Sequence, residues 1–151
     1  MCKSQRPDLA AMLGPLGRAL IRIERPILGD HGLGMWEYSV LVGLGDEPVR
    51  SQGALAESIG ADKSRVIPVL DDLESRGMIS RTRDPGDRRI RLVSITTQGR
   101  ELRDTAQAAI RRSEEQLLAR LSAADRTAFL NVLRELSQAV QQSYSDHHPE
   151  S

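Results

Sequence analysis

The sequence predicts a mainly α-helical protein that carries one small β-hairpin. Apolar residues recur every three or four positions through residues 8–28 and again from residue 97 onward, as in amphipathic helices that bury one face. Between these segments, two short helical stretches are separated by the tight turn Gly60-Ala61-Asp62. Residues 79–95 are β-branched and roughly alternating around a turn, a pattern that predicts two strands.

The N-terminal part predicts one long helix and one short helix. The long helix covers residues 8–28, and Pro26 is expected to bend or stop it because proline lacks a backbone N–H. A short break follows at residues 31–34. Residues 35–45 are apolar almost all round, which favours a short buried helix.

The central part predicts a helix-turn-helix followed by a wing. Ser51 is suited to cap a helix that ends near Ile59, and Asp62 is suited to cap a second helix over residues 63–76. Strands at 79–83 and 90–95 flank Asp84-Pro85-Gly86-Asp87, a turn sequence. This order is that of a winged helix-turn-helix, in which the second helix enters the major groove of DNA.

The flanking helices predict a dimer. We divide the chain into an N-terminal arm and dimerisation helix (1–32), a winged helix-turn-helix (33–96), and C-terminal dimerisation helices with a tail (97–151). The outer helices have apolar faces but no further domain to pack on, so we expect them to pair with a second copy. Such a pair would present two recognition helices to major grooves about 34 Å apart.

Charge is balanced overall but concentrated locally. The 21 basic and 21 acidic residues exclude a protein that coats nucleic acid by bulk charge. Residues 76–91, however, contain six arginines and two aspartates, and arginine suits bidentate phosphate and guanine contacts. On charge alone, a solvated basic hairpin explains this segment equally well.

Several classes of protein are disfavoured by the sequence. A single cysteine excludes an intramolecular disulfide and a cysteine-based zinc finger. No phosphate-binding glycine loop or nucleophile elbow indicates an enzyme, and neither a cofactor nor a metal site is expected. With no apolar run long enough for a membrane span, we expect a cytoplasmic protein.

The chain resembles the MarR family of transcriptional regulators over nearly its whole length. The resemblance rests on Leu73-Glu74-Ser75-Arg76-Gly77, on Asp87-Arg88-Arg89 in the wing, and on Thr96 with Gly99. Further matches lie at Trp36-Glu37-Tyr38 and Leu55-Ala56-Glu57. The resemblance implies a dimeric repressor, or sometimes an activator, that binds an imperfect palindrome. It also implies release from DNA by a small anionic aromatic ligand or by cysteine oxidation.

The resemblance also implies roles for residues of the DNA-binding region. We expect Arg65 to read a base edge, and Lys63 and Ser64 to contact base or phosphate. Pro68 departs from the family pattern; its ring either contacts a thymine methyl or only shapes the helix. Phosphate contacts or helix capping are expected for Ser51 and Gln52. In the wing, we expect Arg83 to contact the DNA backbone or to form an ion pair. Arg88 and Arg89 should reach the flanking minor groove or its phosphates, and Asp87 should orient Arg89 through an ion pair.

The effector site is predicted only in outline. By the same resemblance, an anionic aromatic ligand would bind between the dimerisation helices and the DNA-binding lobe. The cationic and aromatic candidates there are Arg18, Arg22, His31, Trp36 and Tyr38, although core packing explains the two aromatic residues as well. Two other readings stay open: a protein–protein interaction module without DNA binding, and a thiol-responsive regulator acting through Cys2. The histidines His31, His147 and His148 do not have the spacing of a zinc site.

Overall fold

The structure is a computed structural model that describes residues 6–45 and 50–147. Its helices are α1 (Leu9–Asp30), α2 (Met35–Leu44), α3 (Gln52–Ser58), α4 (Lys63–Ser75), α5 (Thr97–Leu118) and α6 (Ala123–His147). Its strands are β1 (Arg50–Ser51), β2 (Ile79–Arg83) and β3 (Arg91–Ile95). The predicted mainly helical fold with a β-hairpin wing is confirmed.

A third strand extends the predicted hairpin. β1 pairs antiparallel with β3, with Arg50 opposite Val93 and Ser51 opposite Leu92, so the strand order is β1-β3-β2. A strand of two residues is too short to show alternation, which is why the sequence pattern did not reveal it. The pairing fixes the start of α3 against the base of the wing.

Of the two effects expected of Pro26, a bend or a stop, the stop does not occur. α1 continues through both Pro15 and Pro26 and ends at Asp30. A proline removes one backbone hydrogen bond but leaves the others, and a helix of 22 residues tolerates that loss. His31 ends the helix, where its Nδ1 atom lies 2.8 Å from the carbonyl oxygen of Ile27.

Side-chain caps start the helices of the DNA-binding region as predicted. The Ser51 hydroxyl accepts a hydrogen bond from the Ala54 backbone, and the Asp62 carboxylate accepts one from the Arg65 backbone. Gly60 and Gly77 follow α3 and α4 with φ angles of +69° and +73°, a conformation that glycine adopts without strain. Both helix boundaries therefore follow from local sequence.

The hydrophobic core lies where the helix-turn-helix, the sheet and α5 meet. Fully buried side chains come from three helices and one strand: Leu41 and Leu44 of α2, Leu55 of α3, Leu70 and Leu73 of α4, and Val93 of β3. Ala106 and Ile110 bring α5 into the same cluster, and Leu28 brings the end of α1. The core thus fixes α4 and the wing on one scaffold.

Main-chain contacts join the end of α4 to the start of α5. The Thr96 hydroxyl donates to the carbonyl oxygen of Gly77 (2.6 Å) and accepts from the backbone N–H of Gly99 (3.0 Å). The Thr96 N–H donates to the carbonyl oxygen of Met78. A Cβ atom at Gly99 would overlap that same Met78 oxygen, so this junction requires glycine. We refer to Gly77, Met78, Thr96 and Gly99 as the α4–α5 junction.

α6 leaves a long apolar face uncovered. Its described side chains are exposed or half-buried, and an ion pair between Arg126 and Glu115, at 2.7 Å, ties it to α5. Exposed apolar residues follow one helical stripe: Phe129, Val132, Leu133, Leu136 and Val140. In the part of the chain that the structure describes, no helix combines the length and apolarity that a membrane crossing requires.

Candidate nucleic-acid interface

The first turn of α4 presents a compact polar surface. Lys63, Ser64 and Arg65 are all exposed. The Asp62 carboxylate accepts hydrogen bonds from the Ser64 hydroxyl (2.7 Å) and the Arg65 backbone N–H (3.0 Å). These two bonds, the Ser64 bond first, lower the pKa of Asp62. The cap therefore stays charged and holds the first turn in a fixed conformation.

The side chain of Arg65 lies against an aromatic ring of another helix. Its guanidinium carbon is 5.4 Å from the centroid of the Trp36 ring, within the range of a cation–π contact. Trp36 is the second residue of α2 and is half-buried. The structure thus joins a predicted base-reading residue to a residue predicted for the effector site.

The middle of α4 presents two adjacent apolar side chains. Pro68 is exposed, and α4 continues past it to Ser75. Ile67, beside it, is 42% exposed although it lies on a helix whose other face is core. The sequence analysis did not single out Ile67, because its apolar character resembled that of a core residue.

The start of α3 is partly engaged within the fold. The Ser51 hydroxyl acts as the helix cap, as described above. The side-chain oxygen of Gln52 accepts a hydrogen bond from Arg81 at 3.3 Å. The Gln52 amide nitrogen keeps its donors, so the predicted phosphate contact from Gln52 is compatible with this arrangement.

Arg81 links the wing to α4, a role that the sequence analysis missed. Its guanidinium donates to Asp71 (2.6 Å) and to both carboxylate oxygens of Glu74 (3.1 and 3.2 Å). This contact lowers the pKa of Glu74 and raises that of Arg81. The strand alternation could place Arg81 on the inner face of the hairpin, but it could not identify its partners on α4.

The acidic residues of α4 are thus paired within the chain. Asp71 and Glu74 bind Arg81, and Asp72 forms an ion pair of 3.3 Å with Arg76 one helical turn later. Arg76 also donates to the Gly32 carbonyl oxygen at 2.9 Å, which ties the end of α4 to the α1–α2 turn. These ion pairs neutralise the acidic side chains of α4.

The wing tip is shaped by two aspartates. Asp84 accepts a hydrogen bond from the backbone N–H of Gly86 (2.7 Å), and Asp87 accepts one from the backbone N–H of Arg89 (3.1 Å). The Asp87 carboxylate also binds the Arg89 guanidinium through both of its oxygens, each at 3.0 Å. The predicted ion pair between these two side chains is therefore present in the structure.

Two arginines face each other across the hairpin. Arg83 of β2 is the register partner of Arg91 of β3, and both side chains are exposed. In the described ranges, no acidic side chain forms an ion pair with either of them, although Arg91 contributes to the lowered pKa of Glu74. Like charges directly opposite in a sheet are unfavourable in the absence of an anion. The ion pair considered for Arg83 is therefore not seen.

The five predicted effector residues have separate surroundings. Arg18 and Arg22 are exposed on α1, His31 caps that helix, and Trp36 lies under Arg65. Tyr38 is buried, and burial followed by the charge of Glu24 raises its pKa. Core packing, the alternative considered for the aromatic residues, thus describes Tyr38. The effector role itself stays a prediction for all five.

An open cleft of about 400 Å³ lies beside α2 and α5. It is lined by Val42, Arg100, Arg103, Asp104 and Gln107. Arg103 is buried and donates to the Gly45 carbonyl oxygen at 2.8 Å and to Asp104 at 2.9 Å. The spacing of Arg100 and Arg103 in the sequence gives no sign of the cleft.

Cys2 and His148 lie outside the described residues, so the thiol-responsive reading stays a hypothesis. Within the ranges that the structure covers, no cluster of histidine, cysteine or acidic side chains has the arrangement of a metal site.

Comparisons with known proteins agree with this architecture. Residues 33–90 match the model of the MarR family. A protein of Thauera aromatica, assigned as a transcriptional regulatory protein for the hcr operon, is 31% identical over 89% of both chains.

Two solved structures are similar over almost their full length. CouR from Rhodococcus jostii RHA1, crystallised with p-coumaroyl-CoA, is 29% identical with a TM-score of 0.71, covering 89% of this chain and 96% of that chain. The Mycobacterium tuberculosis MarR family protein Rv2887, in complex with p-aminosalicylic acid, is 27% identical with a TM-score of 0.72 and covers 86% and 98%.

The fold and its basic wing are those of a winged-helix transcriptional regulator. The chain belongs to the MarR family. The Thauera protein is described as a transcriptional regulatory protein, and Rv2887 as a MarR family protein.

Proposed function

We propose that this protein is a cytoplasmic repressor that binds double-stranded DNA as a homodimer and releases it on binding a small effector. One observation carries the DNA-binding part. The wing arginines Arg83 and Arg91 face each other with no ion-pairing partner among the described residues, while the acidic residues of α4 are paired within the chain. A phosphate backbone supplies the anion that this pair lacks.

The proposed contacts with DNA are of two kinds: some read the base sequence, and others position the protein on the DNA backbone. Arg65 reads a base edge in the major groove, and Lys63, Ser64 and Pro68 contact base or phosphate beside it. Ser51 and Gln52 position α3 on the backbone, and Arg83 does so from the wing. Arg88 and Arg89 enter the flanking minor groove, with Asp87 fixing the direction of Arg89.

A second copy of the chain covers the apolar faces of the outer helices. α6 spans roughly 37 Å at 1.5 Å per residue, and its stripe from Phe129 to Val140 is exposed. Leu9, Met12 and Leu13 of α1 are also 45–57% exposed. Monomers do not usually expose this much contiguous apolar surface. A two-fold pair would bind an imperfect palindrome, one half-site per recognition helix.

The effector that we infer is a small aromatic anion. The supporting facts are that CouR was crystallised with p-coumaroyl-CoA and Rv2887 with p-aminosalicylic acid. In this chain Arg18, Arg22, His31, Trp36 and Tyr38 are our candidates for the site. Arg100 at the α2–α5 cleft is a further cation that such a ligand could meet.

Fluorescence anisotropy tests the DNA-binding proposal. The wild type is titrated into duplex from upstream of its own gene and into scrambled duplex at two salt concentrations. We expect tight, salt-sensitive preference for the upstream duplex, a loss of about tenfold for Arg89→Ala, and wild-type binding for Arg112→Ala, an exposed arginine on α5. Adding p-aminosalicylate then tests release.

One result of this experiment would contradict the DNA-binding proposal. If neither the upstream duplex nor any duplex selected from a random library binds above the scrambled control, the DNA-binding proposal is wrong. The winged helix would then be a protein–protein interaction module.

A further inference from the structure

Arg65 is held in the free protein by an aromatic face instead of an acceptor. Its guanidinium carbon lies 5.4 Å from the centre of the Trp36 ring. In the ranges 6–45 and 50–147, the structure shows no hydrogen bond from this guanidinium to any acceptor. The hydrogen bond that Arg65 does make, to Asp62, comes from its backbone N–H.

Neighbouring arginines are held differently. Arg81 donates to Asp71 and Glu74, Arg76 donates to Asp72 and to the Gly32 carbonyl, and Arg89 donates to Asp87. In each of these arginines, a carboxylate or carbonyl oxygen of the protein accepts from guanidinium N–H groups. Those N–H groups are then not free to donate to a DNA base. Arg65 thus differs from these three arginines in the kind of partner that holds it.

The hydrogen bonds of the helix cap at Asp62 do not involve the Arg65 guanidinium. The Asp62 carboxylate accepts from the Ser64 hydroxyl and the Arg65 backbone. The guanidinium lies instead against Trp36, which α2 presents at its second position. Trp36 is itself half-buried and so has a defined position on the scaffold.

A cation–π contact suits a residue that must read a base. It restricts the long arginine side chain before binding, so less conformational entropy is lost when the complex forms. It occupies no carboxylate or carbonyl oxygen, so the guanidinium donors stay free for the N7 and O6 acceptors of guanine.

We propose that Trp36 is a positioning residue that orients Arg65 for reading a guanine in the major groove. This inference rests on the proposed DNA-binding function. It assigns sequence specificity to a side chain on α2, outside the recognition helix, and makes the Trp36–Arg65 pair the reading unit.

The test uses the full-length protein and a duplex enriched from a random library by the wild type, together with every single base-pair variant of that duplex. Binding is measured for the wild type, Arg65→Ala, Trp36→Ala, Trp36→Phe and the double variant Trp36→Ala/Arg65→Ala. Phenylalanine keeps an aromatic face in place of the indole, which tests rescue by a conservative change.

We expect Arg65→Ala to lower affinity about tenfold and to abolish discrimination at one G·C pair per half-site. Trp36→Ala should weaken discrimination at that same pair about threefold to tenfold, and Trp36→Phe should restore most of it. The double variant should bind no more weakly than Arg65→Ala, because Trp36 acts through Arg65.

Tryptophan fluorescence gives an independent readout. Trp36 is the only tryptophan in the chain, so the intrinsic emission of the protein comes from this residue. Arg65→Ala should change the emission of the free protein while leaving its circular dichroism unchanged. A surface residue without this contact, such as Arg112, should leave the emission unchanged when replaced by alanine.

Three results would overturn the inference. Loss of affinity spread evenly over all base pairs in Trp36→Ala would indicate a merely structural role. Additive effects in the double variant would show that Trp36 does not act through Arg65. Unchanged emission in Arg65→Ala would show that the two side chains do not meet in solution. If the wild type enriches no duplex at all, the proposed DNA-binding function fails first, and the inference fails with it.

Discussion

The carboxylate of Asp87 is bound by the guanidinium of Arg89 through two parallel hydrogen bonds of 3.0 Å. The Arg89 side chain is 91% exposed, and an exposed ion pair adds little to folding stability. The pair instead fixes the direction in which the arginine leaves the wing. In the proposed complex with DNA, a cation whose direction is already fixed would lose less conformational entropy on contact.

The Asp87–Arg89 pair predicts a change in specificity without a change in stability. In Asp87→Asn, Arg89 keeps its charge but loses its bidentate partner. We expect binding to scrambled duplex to rise slightly, because an acidic charge is removed, while the ratio of specific to scrambled binding falls about threefold. The unfolding temperature should stay within error of the wild type. A fall in that temperature of several degrees would contradict this account.

The Arg83–Arg91 pair predicts a smaller salt dependence on removal of one arginine. Each phosphate contact contributes about 0.9 to the slope of log K against log salt. Arg83→Met should therefore lower that slope by about one for each protomer bound. Removing one of two facing like charges should also leave the unfolding temperature equal or slightly higher. An unchanged slope would mean that Arg83 does not contact the backbone.

Arg81→Met is the matched variant on the same strand as Arg83→Met. In contrast to Arg83→Met, we expect Arg81→Met to destabilise the fold. Methionine keeps the apolar stem but removes the hydrogen bonds to Asp71, Glu74 and Gln52. We expect the unfolding temperature to fall by several degrees, corresponding to a loss of about 1–3 kcal/mol in the free energy of unfolding. Thermal denaturation followed by circular dichroism measures it. Equal temperatures for Arg81→Met and Arg83→Met would refute the role of Arg81 as the link.

Gly99→Ala should destabilise the protein strongly. A methyl group there meets the Met78 carbonyl oxygen and lies 2.9 Å from Ile95 Cγ1, so the backbone must shift. Overpacking of this kind costs about 1–3 kcal/mol or more in the free energy of unfolding. Gly29→Ala is the control, since that exposed glycine has open space around its Cβ position. Urea denaturation at one fixed protein concentration compares the two variants; similar midpoints would contradict the predicted overlap.

The raised pKa of Glu24 predicts that the contribution of this residue to folding stability depends on pH. Half-burial, and then the charge of Glu114, raises the pKa of Glu24 above its ordinary value of 4.5. The folded state therefore prefers the protonated form, and the stability that protonation provides is lost as pH rises through the raised pKa. Glu24→Gln should have a higher unfolding temperature than the wild type at pH 8, and the difference should shrink towards pH 4. Glu101→Gln, at an exposed site on α5, should not show this trend.

Local signals in the sequence were sufficient for most of the fold. Caps at Ser51 and Asp62 and the turn at Gly60 predicted the boundaries of α3 and the start of α4, because capping depends on residues a few positions apart. The Asp87–Arg89 pair was expected from the resemblance to the MarR family, and the structure contains it. β1 was missed because two residues cannot show a period.

Contacts between distant segments were beyond the sequence pattern. The partners of Arg81 lie 7, 10 and 29 residues away, and Trp36 lies on a different helix from Arg65. Only the packing of α2 and β2 against α4 brings these groups together. Arg81 joins elements of the fold and Arg83 does not. Both are arginines of the same predicted strand, so the sequence alone could not distinguish their roles.

The α4–α5 junction consists of residues that hold the fold together, and these residues are distinct from those that we expect to contact DNA. Its contacts run largely through main-chain atoms of Gly77, Met78 and Gly99, and they set the wing relative to α4. The side chains that we expect to meet DNA are not among the residues of that junction. Substitutions at Arg65, Ile67, Pro68 or Arg88 can therefore alter the preferred operator while the angle between wing and helix is preserved. Under the proposed function, such a chain could be redirected to a new promoter by changing a few exposed residues, without a search for compensating changes in its core.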